Sequence, residues 1–140
     1  MPAGMAEGAL IGLAIGVVMS AIGFAIALTA RRSYANRPRP TRLLTLTTRR
    51  SPEEVRARAA GLTGYQLVED LPDKRTITLK SAPTLFSWGF FFPIYLDSQP
   101  DATTQVTIGI ESRAFQIFGP VVTHHHKRCL EALRQRLDSP

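Results

Sequence analysis

The sequence predicts a membrane-anchored α+β protein: an N-terminal transmembrane helix, then a mostly antiparallel sheet of five or six strands with two helices on one face. Three observations support this prediction. Residues 8–30 contain no charged residue and no proline. Residues 42–112 hold short alternating runs separated by turn residues, which is typical of antiparallel strands. Residues 122–137 repeat apolar side chains at helical spacing, which indicates an amphipathic helix.

The uncharged run is long enough to cross a bilayer. A span takes roughly 20 apolar residues, and residues 8–30 would reach about 35 Å as a helix. A cleavable signal peptide is the alternative, but such peptides begin with basic residues, and residues 1–7 contain none. We therefore predict a short outer N-terminus (1–7), a transmembrane helix (8–30), a basic linker containing prolines (31–41) and a domain (42–140).

The basic residues are concentrated beside this run. Residues 31–50 contain 7 of the 17 lysines and arginines and no acid, whereas residues 51–140 contain 10 basic and 10 acidic residues. Nucleic-acid binding is therefore not expected, because the net charge of +6 does not come from the domain. Basic flanks stay on the cytoplasmic side. This predicts an outer N-terminus and a cytoplasmic domain at the inner membrane of a bacterial cell, with the reverse orientation as the alternative.

Four arginines follow the run closely. We expect them to hold the orientation and to contact anionic headgroups of the bilayer: Arg31, Arg32, Arg37 and Arg39. Pro38 and Pro40 keep the linker extended, and so short a linker would hold the domain close to the membrane.

One face of the predicted transmembrane helix carries small residues at four-residue spacing. Such a stripe lets two helices approach closely in lipid. It predicts a packing face for a second copy or for a partner's helix, while chance is the alternative because small residues are common in membrane helices. The face consists of Gly8, Gly12, Gly16, Ser20 and Gly23.

Local patterns predict the elements of the domain in order. Leu43–Thr48 alternates as a first strand, and Ser51 and Pro52 open a short helix that stops at Gly61. A hairpin follows over residues 65–80, in which Ile77 and Leu79 alternate with Thr76, Thr78 and Lys80. The last elements are strands over residues 103–112 and 114–118, a break at Gly119-Pro120, and a helix over residues 122–137.

This element order resembles the helix-grip (START-like) domains and other small βαβ4α domains tethered to bacterial membranes. The resemblance covers residues 41–137 and uses SPEEV at the start of the first helix and SWG in the middle strand. It implies a sheet gripped by a long C-terminal helix. The second small helix usual in helix-grip proteins is missing, so a ligand cavity is not implied, and no functional residue carries over.

The most unusual part of the domain is the aromatic run over residues 85–96. A half-buried strand is polar on one face, but this one is apolar on both. We predict either a patch that meets a partner, an apolar ligand or the membrane surface, or a central strand whose outer face is covered by a loop or by the linker. The residues concerned are Phe86, Trp88, Phe90, Phe91, Phe92 and Tyr95.

The sequence offers no strong chemical site. His125 and Cys129 have the i,i+4 spacing of metal ligands, but a zinc site takes three or four, so we expect no metal, and we expect His126 and Cys129 in the core. Neither a catalytic residue nor a cofactor is predicted. The favoured hypothesis is a protein-interaction module or accessory protein of a membrane complex. The alternatives are a carrier of an apolar ligand at the membrane and an enzyme.

Overall fold

The structure is a computed structural model that describes residues 3–29, 37–84, 89–112 and 119–140. The chain forms two compact units that divide between Arg32 and Ser33. The predicted last strand over residues 114–118 lies outside the described residues.

The first unit contains one helix, α1, over Ala3–Thr29. Its segment Glu7–Ala25 is long and apolar enough to cross a membrane, and none of it is buried. The large side chains of this segment are exposed on every side of the helix, as Leu13 and Phe24 illustrate. A helix that is apolar all round suits a lipid environment. A signal sequence has the same properties, so the structure establishes a helix able to span a membrane.

The described part of the second unit contains six strands and two α-helices, a short one and a long one. In chain order they are β1 (Leu43–Thr48), α2 (Pro52–Ala60), β2 (Tyr65–Leu71), β3 (Thr76–Ser81), β4 (Phe90–Ser98), β5 (Thr104–Gly109), β6 (Glu111–Ser112) and α3 (Gly119–Asp138), with a short 3₁₀ turn at Pro72–Lys74. The sheet is antiparallel, with the order β1-β5-β4-β3-β2 and with β6 beside β4. The α+β prediction is therefore confirmed.

Local chemistry explains where α2 begins. The Ser51 hydroxyl accepts a hydrogen bond from the Glu54 N–H at 3.2 Å, and Pro52 occupies the first turn. These features satisfy an otherwise unpaired donor and pre-set the helical backbone. The helix then buries Val55 and Ala59 against the sheet.

The helix α3 begins three residues before its predicted start. Gly119 and Pro120 were expected to break the chain, but they are the first two helical residues. Proline fits the first turn of a helix because the N–H that it lacks would have no helical partner there. Farther along, one face of α3 buries His126, Cys129, Leu133 and Leu137, in agreement with the predicted stripe.

Both helices pack on one face of the sheet, which we call the inner face. The side chains that fill the space between them alternate along the strands, as expected for period-2 geometry. The fully or almost fully buried residues on this face are Ile77, Leu79, Phe90, Phe92, Ile94, Leu96, Val106 and Ile108 in the strands, and Ile110 between β5 and β6.

The predicted strand 103–112 is divided into β5 and β6 by a proline in its neighbour. The Leu96 N–H donates to the Arg75 carbonyl at 3.0 Å, so even-numbered residues of β4 bond toward β3 and odd-numbered ones toward β5. The register places Pro93 opposite Gly109. Because Pro93 has no N–H to donate there, the β4–β5 ladder is interrupted at this point.

Candidate functional site

The candidate site is the other side of the sheet, the outer face, where residues 37–40 are packed. We call residues 37–40 the docked segment. At the centre of this face Phe91 is 5% exposed and Tyr95 is 7% exposed. Thr76 and Thr78, which alternate with the core residues Ile77 and Leu79, lie on this face and are also buried. The centre of the outer face is therefore covered, whereas its β1 edge is exposed.

Two ion pairs hold the docked segment in place. An Arg37 guanidinium nitrogen lies 3.4 Å from a Glu111 carboxylate oxygen on β6, and an Arg39 nitrogen lies 3.6 Å from an Asp97 oxygen on β4. The four side chains are between 29% and 49% exposed to solvent. Pairs this exposed contribute little each and weaken with salt.

Arg39 also contacts an aromatic ring. Its guanidinium carbon lies 4.4 Å from the centroid of the Tyr95 ring, a cation–π geometry. Burial raises the pKa of the Tyr95 phenol, and the nearby Arg39 charge opposes that rise. Arg39 therefore contacts two side chains of β4, the Tyr95 ring and the Asp97 carboxylate.

A glycine makes close approach of the docked segment possible. A Cβ atom at Gly109 would lie 2.8 Å from the Pro40 Cγ and 3.1 Å from the Pro93 Cγ. Real Cβ atoms essentially never come as close as 2.8 Å to another heavy atom, so Pro40 lies where only a glycine leaves room for it. Gly109 thus leaves the space in which Pro40 and Pro93 lie over the strand backbone.

One polar atom on the outer face has no partner. Thr78 is fully buried opposite Pro93, and its hydroxyl makes no hydrogen bond within the described part of the chain. A buried hydroxyl without a partner costs roughly 1–3 kcal/mol. The outer face thus carries a local energetic cost at its centre.

The aromatic run is placed on both sides of β4. Phe90 and Phe92 lie in the core under the helices, whereas Phe91 and Tyr95 lie on the outer face. These four side chains are not an exposed patch, because helices cover two and the outer-face packing buries the others. The predicted alternative, coverage by the linker, describes the surroundings of Tyr95. Phe86 and Trp88 lie outside the described residues.

The predicted headgroup arginines separate in the same way. Arg37 and Arg39 pair with acids of the sheet, so their charges face the domain as well as solvent. Arg31 and Arg32 lie outside the described residues. The small-residue face of α1 is open: a Cβ at Gly8, Gly12, Gly16 or Gly23 would meet no atom within 4 Å, and Ser20 is exposed. Its role in packing stays a prediction.

The histidine and cysteine residues of α3 serve packing. His126 Nε2 lies 2.7 Å from the Ile108 carbonyl oxygen, and burial lowers the pKa of this imidazole. Cys129 is fully buried, and burial raises the pKa of its thiol to about 12. His125 lies against the Phe90 ring at 4.9 Å between centroids. Residues 3–29, 37–84, 89–112 and 119–140 hold no group of three or more metal-ligating side chains.

The domain's C-terminus is fixed by a residue that the sequence analysis did not single out. Arg50 bonds the Leu137 carbonyl and the Glu54 carboxylate, and it donates to the Ser139 carbonyl at 2.7 Å. The Thr104 hydroxyl donates to the Arg50 carbonyl at 2.7 Å. In the sequence Arg50 is only one member of the basic stretch, and no local pattern connects it with residues almost 90 positions away.

Comparison with protein-family models and with curated proteins finds no match to this chain.

Proposed function

We propose that this chain is a single-pass membrane protein whose C-terminal domain binds a protein partner at the cytoplasmic surface of the membrane. The supporting observation is the docked segment. Arg37, Arg39 and Pro40 are packed on the sheet, so only seven residues, 30–36, separate this packed segment from Thr29, the last residue of α1. A domain joined so closely to a membrane helix would act near the bilayer.

The surfaces of the two units support binding as the activity. In the second unit, three large apolar side chains of the described residues are each 40% exposed: Leu43 on β1, and Leu67 and Val68 on β2. They lie on the two edge strands of the sheet. In the first unit the glycine face of α1 has room for a neighbouring helix. Sheet edges and small helix faces are both common contact surfaces between proteins.

The described cavities give less support to carriage of an apolar ligand. One, of about 380 Å³, lies along Gly64–Gln66 and Lys80–Pro83. The other, of about 420 Å³, lies beside the start of α3 and is lined by His124, His125 and Arg128. Both open at the surface, and the side chains between α3 and the sheet pack against each other.

Membrane insertion is tested by extracting membranes with alkaline carbonate and measuring the intact mass of the chain. A spanning helix predicts retention in the membrane and a mass that includes residues 8–30. Loss of those residues would identify a signal sequence instead. The orientation is tested by fusing alkaline phosphatase, or a fluorescent protein that folds only in the cytoplasm, after Pro140. An active phosphatase would contradict the proposed cytoplasmic location of the domain.

Binding is tested in living cells by photo-crosslinking. Benzoylphenylalanine placed at Leu43 or at Leu67 should crosslink to a discrete protein partner, while the same group at Gln135, on the exposed side of α3, serves as the matched control. Equal crosslinking from all three positions would indicate random encounters. A lipid released from the natively purified chain, without a crosslinked protein, would favour the carrier.

A further inference from the structure

The edge of the sheet at β1 is open for strand pairing. Because odd-numbered residues of β4 bond toward β5 and the strands alternate regularly, Val106 and Ile108 bond toward β1, opposite Leu46 and Leu44. The remaining residues of β1 therefore direct their backbone N–H and C=O groups away from the sheet. Those residues are Leu43, Thr45 and Thr47, and none of their outward groups has a partner among the described residues.

The two edges of this sheet differ in their protection. The β2 edge has a register shift between Leu67 and Glu69, and it carries the acids Glu69 and Asp70. Bulges and charges are the usual features that stop an edge from pairing with another chain. In contrast, β1 pairs in unbroken register over all six residues and contains no charge and no proline. Only β1 has the form of a receptive edge.

The flanks of β1 indicate the charge of what would pair there. Arg42 and Arg49 are exposed and stand immediately before and after the strand. Arg42 bonds the Thr123 hydroxyl at 3.2 Å, and neither arginine has an acidic partner among the described residues. Their backbone positions are about 23 Å apart at strand spacing. An extended segment with an acid at each end would place one carboxylate near each arginine.

A second copy of β1 fits this edge less well. Antiparallel pairing of two β1 strands about Leu46 would bring Arg42 of one chain opposite Arg50 of the other. Like charges directly opposite each other destabilise a strand pair. Pairing about Thr45 avoids that clash but places only threonines opposite Arg42 and Arg49, because residues 37–50 contain no acid. Charge complementarity therefore favours a different chain over self-association.

We propose that β1 binds an extended segment of a partner protein by strand addition, and that this segment has a β-branched or apolar centre of about six residues with an acidic residue at each end. Backbone hydrogen bonds to Leu43, Thr45 and Thr47 would supply the affinity. Arg42 and Arg49 would select the acidic ends. This inference deepens the proposed function by naming the partner's chemistry, but it needs neither the membrane nor a particular orientation.

The test uses the full chain in mild detergent and a fluorescent eight-residue peptide of alternating valine and threonine with aspartate at both ends. The peptide should bind, and the same peptide with terminal lysines should bind roughly fivefold or more weakly. Methylating the peptide amides that face β1 should abolish binding, whereas methylating those that face away should not. No binding, or affinity independent of the terminal charges, would overturn the proposal.

A protein variant tests the edge directly. Thr45→Pro with Thr47→Pro removes two outward N–H groups without touching the bonds to β5, and it should weaken peptide binding roughly thirtyfold. Thr45→Val with Thr47→Val is the matched control and should bind normally. Thermal unfolding checks that both variants fold, and if the proline variant does not, the methylated peptides decide. Unchanged peptide binding by a folded proline variant would contradict the proposal. So would a native chain that dimerises when the proline variant does not, because β1 would then pair with a second copy.

If the chain proves to be secreted after cleavage, the proposed membrane function fails while the peptide result stands. If the peptide does not bind β1, this inference fails while membrane anchoring and crosslinking from other surfaces remain testable.

Discussion

Pro40 lies on the backbone of Gly109, so close that a Cβ atom at Gly109 would stand 2.8 Å from the Pro40 Cγ. This contact joins the segment that follows α1 to β5, an inner strand of the sheet. The contact is possible because residue 109 is a glycine and has no side chain. Five predictions follow from this and from neighbouring features, each with its own measurement.

Gly109→Ala should destabilise the domain. The added methyl group would meet Pro40 on one side and Pro93 on the other, at 2.8 and 3.1 Å, and overpacking of this kind costs roughly 1–3 kcal/mol. Urea unfolding of the full chain in mild detergent measures the change. Gly61→Ala is the control, because the nearest atom there is 3.9 Å away. Equal stability of Gly109→Ala and the native chain would show that Pro40 is not held against the sheet.

Arg39 and Asp97 should be energetically coupled. Their charged groups are 3.6 Å apart and about half exposed, so a double-mutant cycle with Arg39→Ala and Asp97→Ala should give about 0.2–1 kcal/mol. The coupling should shrink in high salt. Arg39→Ala should cost more than Asp97→Ala, since it also removes the contact with the Tyr95 ring. A coupling of zero at low salt would argue against the docked segment.

Cys129 should resist thiol reagents in the folded protein. Its side chain is fully buried, and burial raises the pKa of the thiol from 9.0 to about 12. The folded state therefore keeps the thiol proton at pH values where the unfolded chain loses it. The stability that this protonated thiol contributes is complete below pH 9 and declines as the pH rises from about 9 toward 12.

Reaction with a thiol reagent at pH 8, with and without urea, measures this protection. Labelling should occur only in urea, while a cysteine placed on the exposed edge as Thr47→Cys should react at once. Cys129→Ala should flatten the alkaline decline in stability. Rapid labelling of Cys129 in the folded chain would contradict the burial.

His126 should make the domain sensitive to acid. Burial lowers the pKa of this imidazole below 6.5, against the opposing effect of the hydrogen bond to Ile108, and Arg42 adds to the lowering. The unfolded chain therefore takes up the proton first as the pH falls. Stability should be complete above about pH 6.5 and decline below it, by at most about 1.4 kcal/mol per pH unit for one group.

His126→Gln keeps a side-chain N–H for the Ile108 carbonyl and does not titrate, so it should reduce this acid decline. The slope of unfolding free energy between pH 6.5 and 5 is the measurement. His125 titrates in the same direction because burial also lowers its pKa, so a residual slope is expected in the variant. An unchanged slope would assign the acid sensitivity to other groups.

Gly12→Leu should weaken any association through α1. A side chain at this position meets no atom of its own chain within 4 Å, so the variant should fold and lose only contacts with another helix. Ala14→Leu adds a comparable bulk on the opposite side of the helix and serves as the matched control. The measurements are the oligomeric state in detergent and proximity labelling in cells. Equal association of the two variants would contradict the predicted packing face.

The elements of the domain were largely predictable because they depend on neighbours in sequence. The cap at Ser51, the alternation in β1 and the stripe of α3 are local patterns with a direct physical cause. The break expected at Gly119-Pro120 was wrong because proline also suits a first helical turn. The division of β5 from β6 could not be foreseen without the register, since its cause is Pro93 on another strand.

The candidate site was predictable only as alternatives. The sequence showed that β4 is apolar on both faces, but not what would cover them. Arg37 pairs with Glu111, 74 positions away in the chain. From the sequence, the basic stretch indicated contact with lipid headgroups for both Arg37 and Arg39. Ion pairs between distant residues leave no periodic pattern, because their geometry arises only when the strands are in register.

A long apolar helix followed by a small α+β domain could be predicted from the sequence, because length, charge and periodicity are properties of contiguous residues. Only the tertiary structure decided that residues 37–40 belong to the domain, that Phe91 and Tyr95 are covered, and that the free backbone groups lie on β1. Those facts depend on which strand lies beside which. Strand order is set by packing of the whole sheet against α2 and α3 rather than by any single stretch of the chain.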